Sequence, residues 1–433
     1  MKSSLLRLKC LSEIKSGEGI PFLTPDVSPG THCPMRMASV IVEDIEGLSS
    51  LLVGMPECTT HSRLFSPYPE GEKGELHWLY VLDSREVVFG CRDGVMEALK
   101  KMEKAGARSI LLIATCIPDL IGEDFEGVIQ EIQSELSIRV AFVMLGQFKN
   151  VSYPAGSWKT MEALVALMQR QITVSNGVNI LGRSPKEEHT PLPSLFPFLE
   201  RNGLKLRYLA PGASLDDFCV APDAVLNIVV SPYTQPLAIK MQKEFGVPFI
   251  SLHNCYSVEE IDKAYEEIAK QFNLSCKGVF DEERKEALVL EKQAANICHG
   301  LKYVLSLRVD LPLPLTQYFI TKLGMKPLLL HMEEYYPEDK NYAKSIRKSG
   351  YDPLVCRVVN EYTALQILQE LSPDLGIGYL PNTNDTFPWV TDMFDFYGQV
   401  GYGRSNAVLK RLLCAVNKSS HFSKGGTYGT SSI

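Results

Sequence analysis

Residues 107–131 read ARSILLIATCIPDLIGEDFEGVIQE, and they limit the fold of this chain more than any other stretch. From Ile110 to Ala114 the apolar run is unbroken, with no polar alternation. That is the pattern of a parallel strand buried on both faces, which needs helices on both sides of its sheet. Cys116 falls at the carboxyl end of this strand, where open α/β sheets place their ligands. Ile121, Gly122, Glu123 and Asp124 then turn the chain into a helix whose acidic first turn suits the helix dipole. A thiol at such a strand end faces a crevice. A buried structural cysteine is the alternative, because free cysteine is among the most buried residue types. The stretch alone leaves both open.

The same alternation recurs along the 433 residues, a length that suggests about three domains at ~150 residues each. Strands are predicted at 76–82, 110–114 and 139–145, with helices at 94–105 and 158–171. A second set places strands at 177–182, 205–209, 225–231 and 249–252, with helices near 195–201, 236–245 and 258–271. The last helix repeats apolar Ile261, Ala264, Ile268 and Phe272 at three- and four-residue spacing. A long helix over 283–305 leads to a third set: helices at 313–323, 339–349 and 363–371 and strands at 327–331, 354–358 and 375–379. The pattern predicts an α/β protein of three Rossmann-like, doubly wound parallel-sheet domains. The boundaries expected are 1–172, 173–282 and 283–395, followed by a C-terminal helix and polar tail over 396–433. Residues 1–32, rich in Gly, Pro and Ser, read as an irregular segment wrapping the surface.

Composition excludes several partners. The net charge is −7 and no Lys/Arg block occurs, which argues against nucleic acid. No apolar run reaches the roughly 18 residues of a membrane span, and the N-terminus lacks a signal-peptide core. The chain is therefore expected to be cytoplasmic. No GxGxxG follows a strand with an acidic residue ~20 positions on, and no GxxxxGK[ST] occurs, so no nucleotide is expected on this chain. The eleven cysteines are an odd number for a disulfide framework, and an intracellular chain keeps them reduced. No CxxC pair occurs, which excludes a zinc ribbon, a ferredoxin-like loop and a thioredoxin-type site.

Cys33, Cys58 and Cys116 lie in the first domain, each in a loop beside Gly or Pro, with spacings of 25 and 58 residues. Such spacing brings ligands together only through the tertiary fold. Three motifs give the trio meaning: Gly54-x-x-x-Cys58-x-x-x-Ser62-Arg63, the turn Glu86-Val87-Val88-Phe89-Gly90, and Thr115-Cys116-x-x-x-Leu120-Ile121-Gly122-Glu123-Asp124. Together they resemble component 1 of nitrogenase and its relatives: the dark-operative protochlorophyllide and chlorophyllide reductases, the cofactor-assembly scaffold and the nickel-tetrapyrrole reductive cyclase. The third motif is the most specific. The resemblance is strong over 31–146 and mostly fold-level to about 403.

By that resemblance, Cys33, Cys58 and Cys116 ligate an iron–sulfur cluster, a 4Fe–4S or a larger P-cluster-like cluster, at a subunit interface. Three thiolates are one short of a cubane's usual four, so the fourth ligand comes from a partner subunit, another side chain or an exogenous ligand, and a subunit interface is the natural place for it. The implied partners are a second component-1-type subunit, the same chain or a homologous one, and an ATP-hydrolysing iron–sulfur reductase that delivers electrons. The family's iron–molybdenum cofactor hangs from a cysteine and a histidine. Ala238 stands in place of the first and Tyr402, in the Gly398–Gly403 segment GQVGYG, about in place of the second. That departure argues against dinitrogen reduction. The function expected is an oxidoreductase subunit that accepts electrons to reduce an unidentified substrate. The alternatives are a scaffold for metal-cofactor assembly and a non-enzymatic small-molecule binder with structural thiols.

The remaining candidates are weaker. Cys91 is expected to pack in the core, and Cys255, Cys276, Cys298, Cys356 and Cys414 to be structural. His32 and His61 flank cluster cysteines and have the chemistry to hydrogen-bond sulfur or relay protons, as ordinary loop histidines also do. Gly376 and Gly378 either border a ligand cavity or serve a tight strand.

Overall fold

The computed structural model describes residues 8–22, 33–64, 67–148, 154–306, 311–357, 361–378, 389–390 and 398–422. It divides into two compact units: one of Ser28–Glu188 and Phe196–His253, the other of Met1–Val27, His189–Leu195 and Asn254–Ile433. The described chain opens with β1 (Lys9–Cys10), which belongs to the second of these units.

The first unit carries two parallel sheets. In the first, α1 (Pro34–Glu43) leads to β2 (Ser49–Gly54), α2 (Pro56–Arg63), β3 (His77–Val81), α3 (Ser84–Phe89) and α4 (Arg92–Lys104). Then come β4 (Ser109–Ala114), α5 (Cys116–Ile121), α6 (Phe125–Ile132) and β5 (Arg139–Met144). The strand order is β3-β2-β4-β5. β4 is buried at every position, hydrogen-bonded on both edges to β2 and β5. Leu51, Val53 and Leu112 pack against Val95 and Leu99 of α4 and Phe125 and Val128 of α6. Leu52 and Ile113 face the other way, toward Ser39 of α1 and Ser62 of α2. The unbroken apolar run therefore serves two helical layers. The motif at 86–90, expected as a turn beside a strand, lies in α3 instead. Asp83 caps this helix through the Arg85 and Glu86 amides, and the Glu86 carboxylate reaches back to the Asp83 amide.

The second sheet continues through α7 (Pro154–Ala163), β6 (Gly177–Leu181), α8 (Leu195–Arg201), β7 (Lys205–Leu209) and α9 (Leu215–Val220). It ends with β8 (Leu226–Val229), α10 (Gln235–Phe245) and β9 (Phe249–Ser251), in the order β7-β6-β8-β9. α7 begins and ends earlier than the expected helix over 158–171, giving way to a 3₁₀ turn at Leu164–Leu167.

In the other unit, α11 (Val258–Gln271) and α12 (Asp281–Cys298) precede β10 (Lys302–Leu305), α13 (Pro312–Leu323), β11 (Lys326–His331) and α14 (Asp339–Lys348). β12 (Leu354–Cys356), α15 (Glu361–Leu371), β13 (Leu375–Ile377), β14 (Trp389–Val390) and α16 (Gly401–Phe422) follow. The sheet runs β1-β12-β11-β10-β13-β14, parallel except for β1. The single helix expected over 283–305 is thus corrected: it stops at Cys298, and residues 302–305 form an inner strand. Gly300, with φ +79°, turns the chain, and Tyr303 and Val304 favour the pleated conformation that follows. α16 reaches Phe422, past the start of the expected tail at 417. Residues 423–433 lie outside the described ones.

Nor are residues 8–22 a surface wrap; the rest of the 1–32 segment lies outside the described residues. Leu11, Ile14 and Ile20 are buried in the core of the third sheet, and β1 pairs antiparallel with β12. The Arg357 guanidinium, 1% exposed, donates to the Gly17 carbonyl at 2.6 Å and to the Ile20 carbonyl at 3.3 Å. It also lies 5.3 Å from the centre of the Phe22 ring. Among the described residues no helix is long and apolar enough to cross a membrane.

Removing this arginine strands buried carbonyls and leaves the charge of Glu333, to which it is electrostatically paired, uncompensated. Arg357→Ala is expected to cost about 2–4 kcal/mol, read as a lower denaturant midpoint together with faster tryptic cleavage at Lys9 and Lys15.

Candidate metal centre

β2 and β4 are neighbours and end level, Val53 opposite Ala114. The chain leaves β2 toward β3 on one side and β4 toward β5 on the other, so the strand order reverses between them. This is the crevice where open α/β sheets bind ligands. Cys58 lies in the first turn of α2 and Cys116 is the first residue of α5. Both thiols therefore flank the switch point of the first sheet.

Gly54 makes the convergence possible. A Cβ there would collide with the Thr115 hydroxyl and stand 3.1 Å from the Cys58 Cβ. In its absence the Thr115 hydroxyl donates to the Val53 carbonyl at 3.0 Å, and the Thr115 amide donates to the same oxygen at 3.1 Å. On the other side, Gly146 packs its bare Cα onto the buried Asp119 of α5. The next amide, Gln147 N–H, donates to Cys116 Sγ at 3.3 Å.

Cys33 arrives differently, as the N-cap of α1, with Pro34 at the first helical position, where its missing N–H costs nothing. The Pro34 carbonyl occupies the space a side chain at Gly156 of α7 would need, so the backbones of α1 and α7 meet directly.

The three thiols sense one another. Burial pushes Cys33 up from its ordinary value, the Met35 and Arg36 amides pull it down, and the charges of Cys116 and Cys58 raise it. Cys116 is likewise raised, first by burial and then by Cys58, against the lowering effect of the Gln147 amide. Amides aimed at sulfur are the donors that stabilise a thiolate once a metal replaces its proton. Among the described residues, no three His, Cys, Asp or Glu side chains converge tightly enough for a single metal ion. A lone tetrahedral ion with Zn–S bonds of ~2.3 Å draws its sulfurs to within about 4 Å of one another. An iron–sulfur cluster gives each thiolate its own iron, so its ligands stand further apart. Three thiols on helix N-terminal turns, with backbone amides directed at two of them, are the donor chemistry such a cluster takes.

The trio was expected in loops; each cysteine instead lies at or within the first turn of a helix, where backbone amides are free to face sulfur. Of the two flanking histidines, His61 sits in α2, its pKa lowered by burial and by Arg36, and His32 lies outside the described residues. Cys91 is buried in the core of the first sheet, as expected of a packing residue, and its thiol is pushed up to about 12. Cys298 and Cys356 are buried and Cys255 and Cys276 half-buried, whereas Cys414 is exposed on α16. Sequence reasoning missed Thr115, Asp119, Gly146 and Gln147. Thr115 sits inside the third-cysteine motif and was open to discovery; the loop carrying Gln147 has no such signal.

Around these strand ends, large apolar side chains stand in solvent. Val88 and Phe89 of α3 are 71% and 81% exposed, Leu120 and Ile121 of α5 54% and 40%, and Phe148, next to Gln147, 66%. α3 and α5 pack against each other.

Known proteins sharpen this picture. The family model described as Nitrogenase component 1 type Oxidoreductase matches residues 33–417. The chain belongs to that family. It is 25% identical over 316 residues to the nitrogenase iron-molybdenum cofactor biosynthesis protein NifE of Clostridium pasteurianum, covering 69% of this chain and 66% of that protein. It is 23% identical over 221 residues to NifE of Nostoc sp., covering 49% and 44%. To the nitrogenase molybdenum-iron protein alpha chain of Methanosarcina barkeri it is 24% identical over 250 residues, covering 54% and 46%. The chain spans about half the length of the curated relatives it matches. A solved structure titled Nitrogenase Cp1 at pH 6.5 superposes with a TM-score of 0.68 at 15% identity, over 95% of this chain and 97% of that one.

Positions 238 and 402, expected to stand where the family's cofactor ligands do, hold an alanine and a tyrosine. Ala238 is fully buried in α10, which packs on α7. Tyr402, 2% exposed, hydrogen-bonds the Asp262 carboxylate and meets the Tyr265 ring edge-on at 5.4 Å. Asp262 is also paired with Arg284. A phenol so engaged is a packing and hydrogen-bonding residue, and neither position offers a thiolate or imidazole.

In metal-free protein, Cys33 and Cys116 are expected to remain thiols at neutral pH, because their raised pKa values leave less of the nucleophilic thiolate. Mass spectrometry of iodoacetamide-treated peptides should show both reacting appreciably only as the pH passes 9, the ordinary thiol value here. Labelling at pH 7 as fast as that of exposed Cys414 would contradict this.

Proposed function

We propose that this chain is a component-1-type subunit that holds an iron–sulfur cluster on Cys33, Cys58 and Cys116 at a subunit interface. The cluster is a 4Fe–4S or a larger P-cluster-like one, and it supplies one-electron storage. One observation carries the reading: two of these thiols flank a topological switch point, the third is coupled to both electrostatically, and backbone amides face Cys33 and Cys116. A second component-1-type subunit, the same chain or a homologous one, provides the missing ligand and covers the exposed apolar side chains of α3 and α5. An ATP-hydrolysing iron–sulfur reductase delivers the electrons, in the cytoplasm, to reduce an unidentified substrate. The residues of this chain hold the cluster, exclude water from its buried edge and stabilise thiolate charge through amides.

A second reading has its own support. The relatives from Clostridium, Nostoc and Methanococcus are named as cofactor biosynthesis proteins, and Ala238 and Tyr402 provide no permanent ligand for a catalytic metal cofactor. A scaffold on which such a cofactor is built and passed on uses the same interfacial cluster. Turnover with a cognate reductase, ATP and dithionite supports the enzyme; transfer of a cofactor to an acceptor protein without turnover supports the scaffold.

Anaerobically purified protein should contain iron, and Cys116→Ala should remove it. Cys356→Ala, a truncation in the buried strand β12, should keep full iron at a stability cost of order 1 kcal/mol. Zinc in place of iron, or equal iron loss in both variants, defeats the ligand assignment.

Sedimentation offers an independent check. The cluster-loaded chain, alone or with its homologous mate, should run as a dimer or larger, and iron removal should weaken that assembly by mass action. A monomer with full iron content under both conditions is the contrary result.

A further inference from the structure

Beneath the cysteine-bearing helices lies a buried polar layer that the proposed cluster chemistry does not use. Ser39 of α1, Ser62 of α2, Ser50 of β2 and His77 of β3 are all buried, and with Arg63 they line a cavity of about 10 Å³. That is about the space of one water molecule. The Ser39 and Ser62 hydroxyls are 3.3 Å apart, and Ser39 also donates to Met35 Sδ at 3.4 Å. Met35 is two residues from Cys33, and Ser62 is one helical turn beyond Cys58. The layer therefore reaches two of the three cysteine-bearing helices, α1 and α2.

Its outer end is His77. Nδ1 is 3.0 Å from Ser50 Oγ, and Nε2 is 3.8 Å from Oε2 of Glu43, whose side chain is 31% exposed. The ring thus links the cavity to a carboxylate at the surface. The charged groups facing it are Glu43 from α1, Arg63 from α2 and Glu75 from the turn before β3. Arg63 donates to the His77 carbonyl at 2.8 Å, and Glu75 accepts the Gly47 amide at 2.6 Å.

We propose that His77 takes up a proton when the cluster held by Cys33, Cys58 and Cys116 is reduced, so that electron and proton arrive together. This rests on the cluster reading above. The step balances: the oxidised cluster gains one electron from its reductant, and neutral His77 gains one proton from bulk water past Glu43, becoming imidazolium. The added negative charge is drawn toward a positive one in the same low-dielectric layer, and the serine hydroxyls, with room for a water between them, relay the field and the proton. The oxidised state starts with a neutral ring, because burial outweighs Glu43 and Glu75 and holds the imidazole below its ordinary 6.5. An added negative charge on the cysteine side of this layer raises its proton affinity; at a separation of ~10 Å and an effective dielectric near 20 the rise is about tenfold.

The sign follows directly. Between the two affinities each reduction consumes a proton, so the midpoint potential falls as pH rises through the region around and below 6.5; outside that window it is flat. The test is an EPR-monitored dithionite titration of the iron-loaded full chain, with its partner subunit if loading needs one, at several pH values from about 5 to 8. A sloping window in the wild type and a flat line in His77→Gln is the expected result. Glu43→Gln, which removes a surface carboxylate that favours the imidazolium, should keep the cluster and move the window to lower pH. A loaded cluster whose potential ignores pH, a slope unchanged in His77→Gln, or a window unmoved in Glu43→Gln overturns the proposal. Wild-type protein without iron overturns the cluster reading itself, and this inference with it.

Discussion

Two strand ends can meet only if nothing stands between them. At the end of β2 the missing side chain of Gly54 leaves room for the Thr115 hydroxyl, which locks onto the Val53 carbonyl. Because β2 and β4 end level, that contact fixes the angles at which α2 and α5 leave the sheet, and therefore where Cys58 and Cys116 lie. The close approach of α1 and α7 at Gly156 does the same for Cys33. The site is built by backbones coming closer than side chains would permit, on rigid elements rather than on loops.

Burial then sets the chemistry. Cys33 and Cys116, pushed up by desolvation and by the neighbouring thiols, are neutral when metal-free, so the site avoids gathering buried negative charge. A metal that displaces the protons finds amides already directed at sulfur, and little reorganisation is needed. The same low-dielectric layer continues through Ser39, Ser62 and His77, so any change of charge at the thiols is felt by polar groups far from solvent. The second unit contrasts with this: at Tyr402 the hydrogen-bonding capacity is spent on Asp262 and the ring on Tyr265.

Much of the architecture could be read from the chain because parallel sheets demand apolar runs: residues 110–114 supply an unbroken one, and 178–181 and 226–229 are interrupted only by Asn179 and Asn227, which hydrogen-bond each other. The errors cluster where tertiary context overrides a local pattern. Residues 302–305, apolar after Lys302, read as the tail of a helix until Gly300 and the neighbouring strands claim them. Residues 8–22 read as loop because their apolar positions are sparse, and what buries them is a strand partner near residue 355. The three cysteines were legible through their motifs. Their setting on helix N-terminal turns was not, since Pro34 and Pro56 signal a turn and a helix start equally well. The polar layer around His77 left no trace in sequence, because its members come from four elements and share no spacing.

The antiparallel pairing of β1 with β12 has a consequence for biosynthesis. The Ser12 amide and the Asp352 side chain that accepts it are 340 residues apart. At cellular elongation rates of 5–20 residues per second, roughly 20–70 s separate their emergence from the ribosome. During that interval the first two sheets, whose strands all lie between residues 49 and 251, can close, whereas Leu11, Ile14 and Ile20 have no core to enter. This segment is thus among the last parts to dock, and until residues near 355 have emerged it is an unprotected apolar edge suited to a holding chaperone.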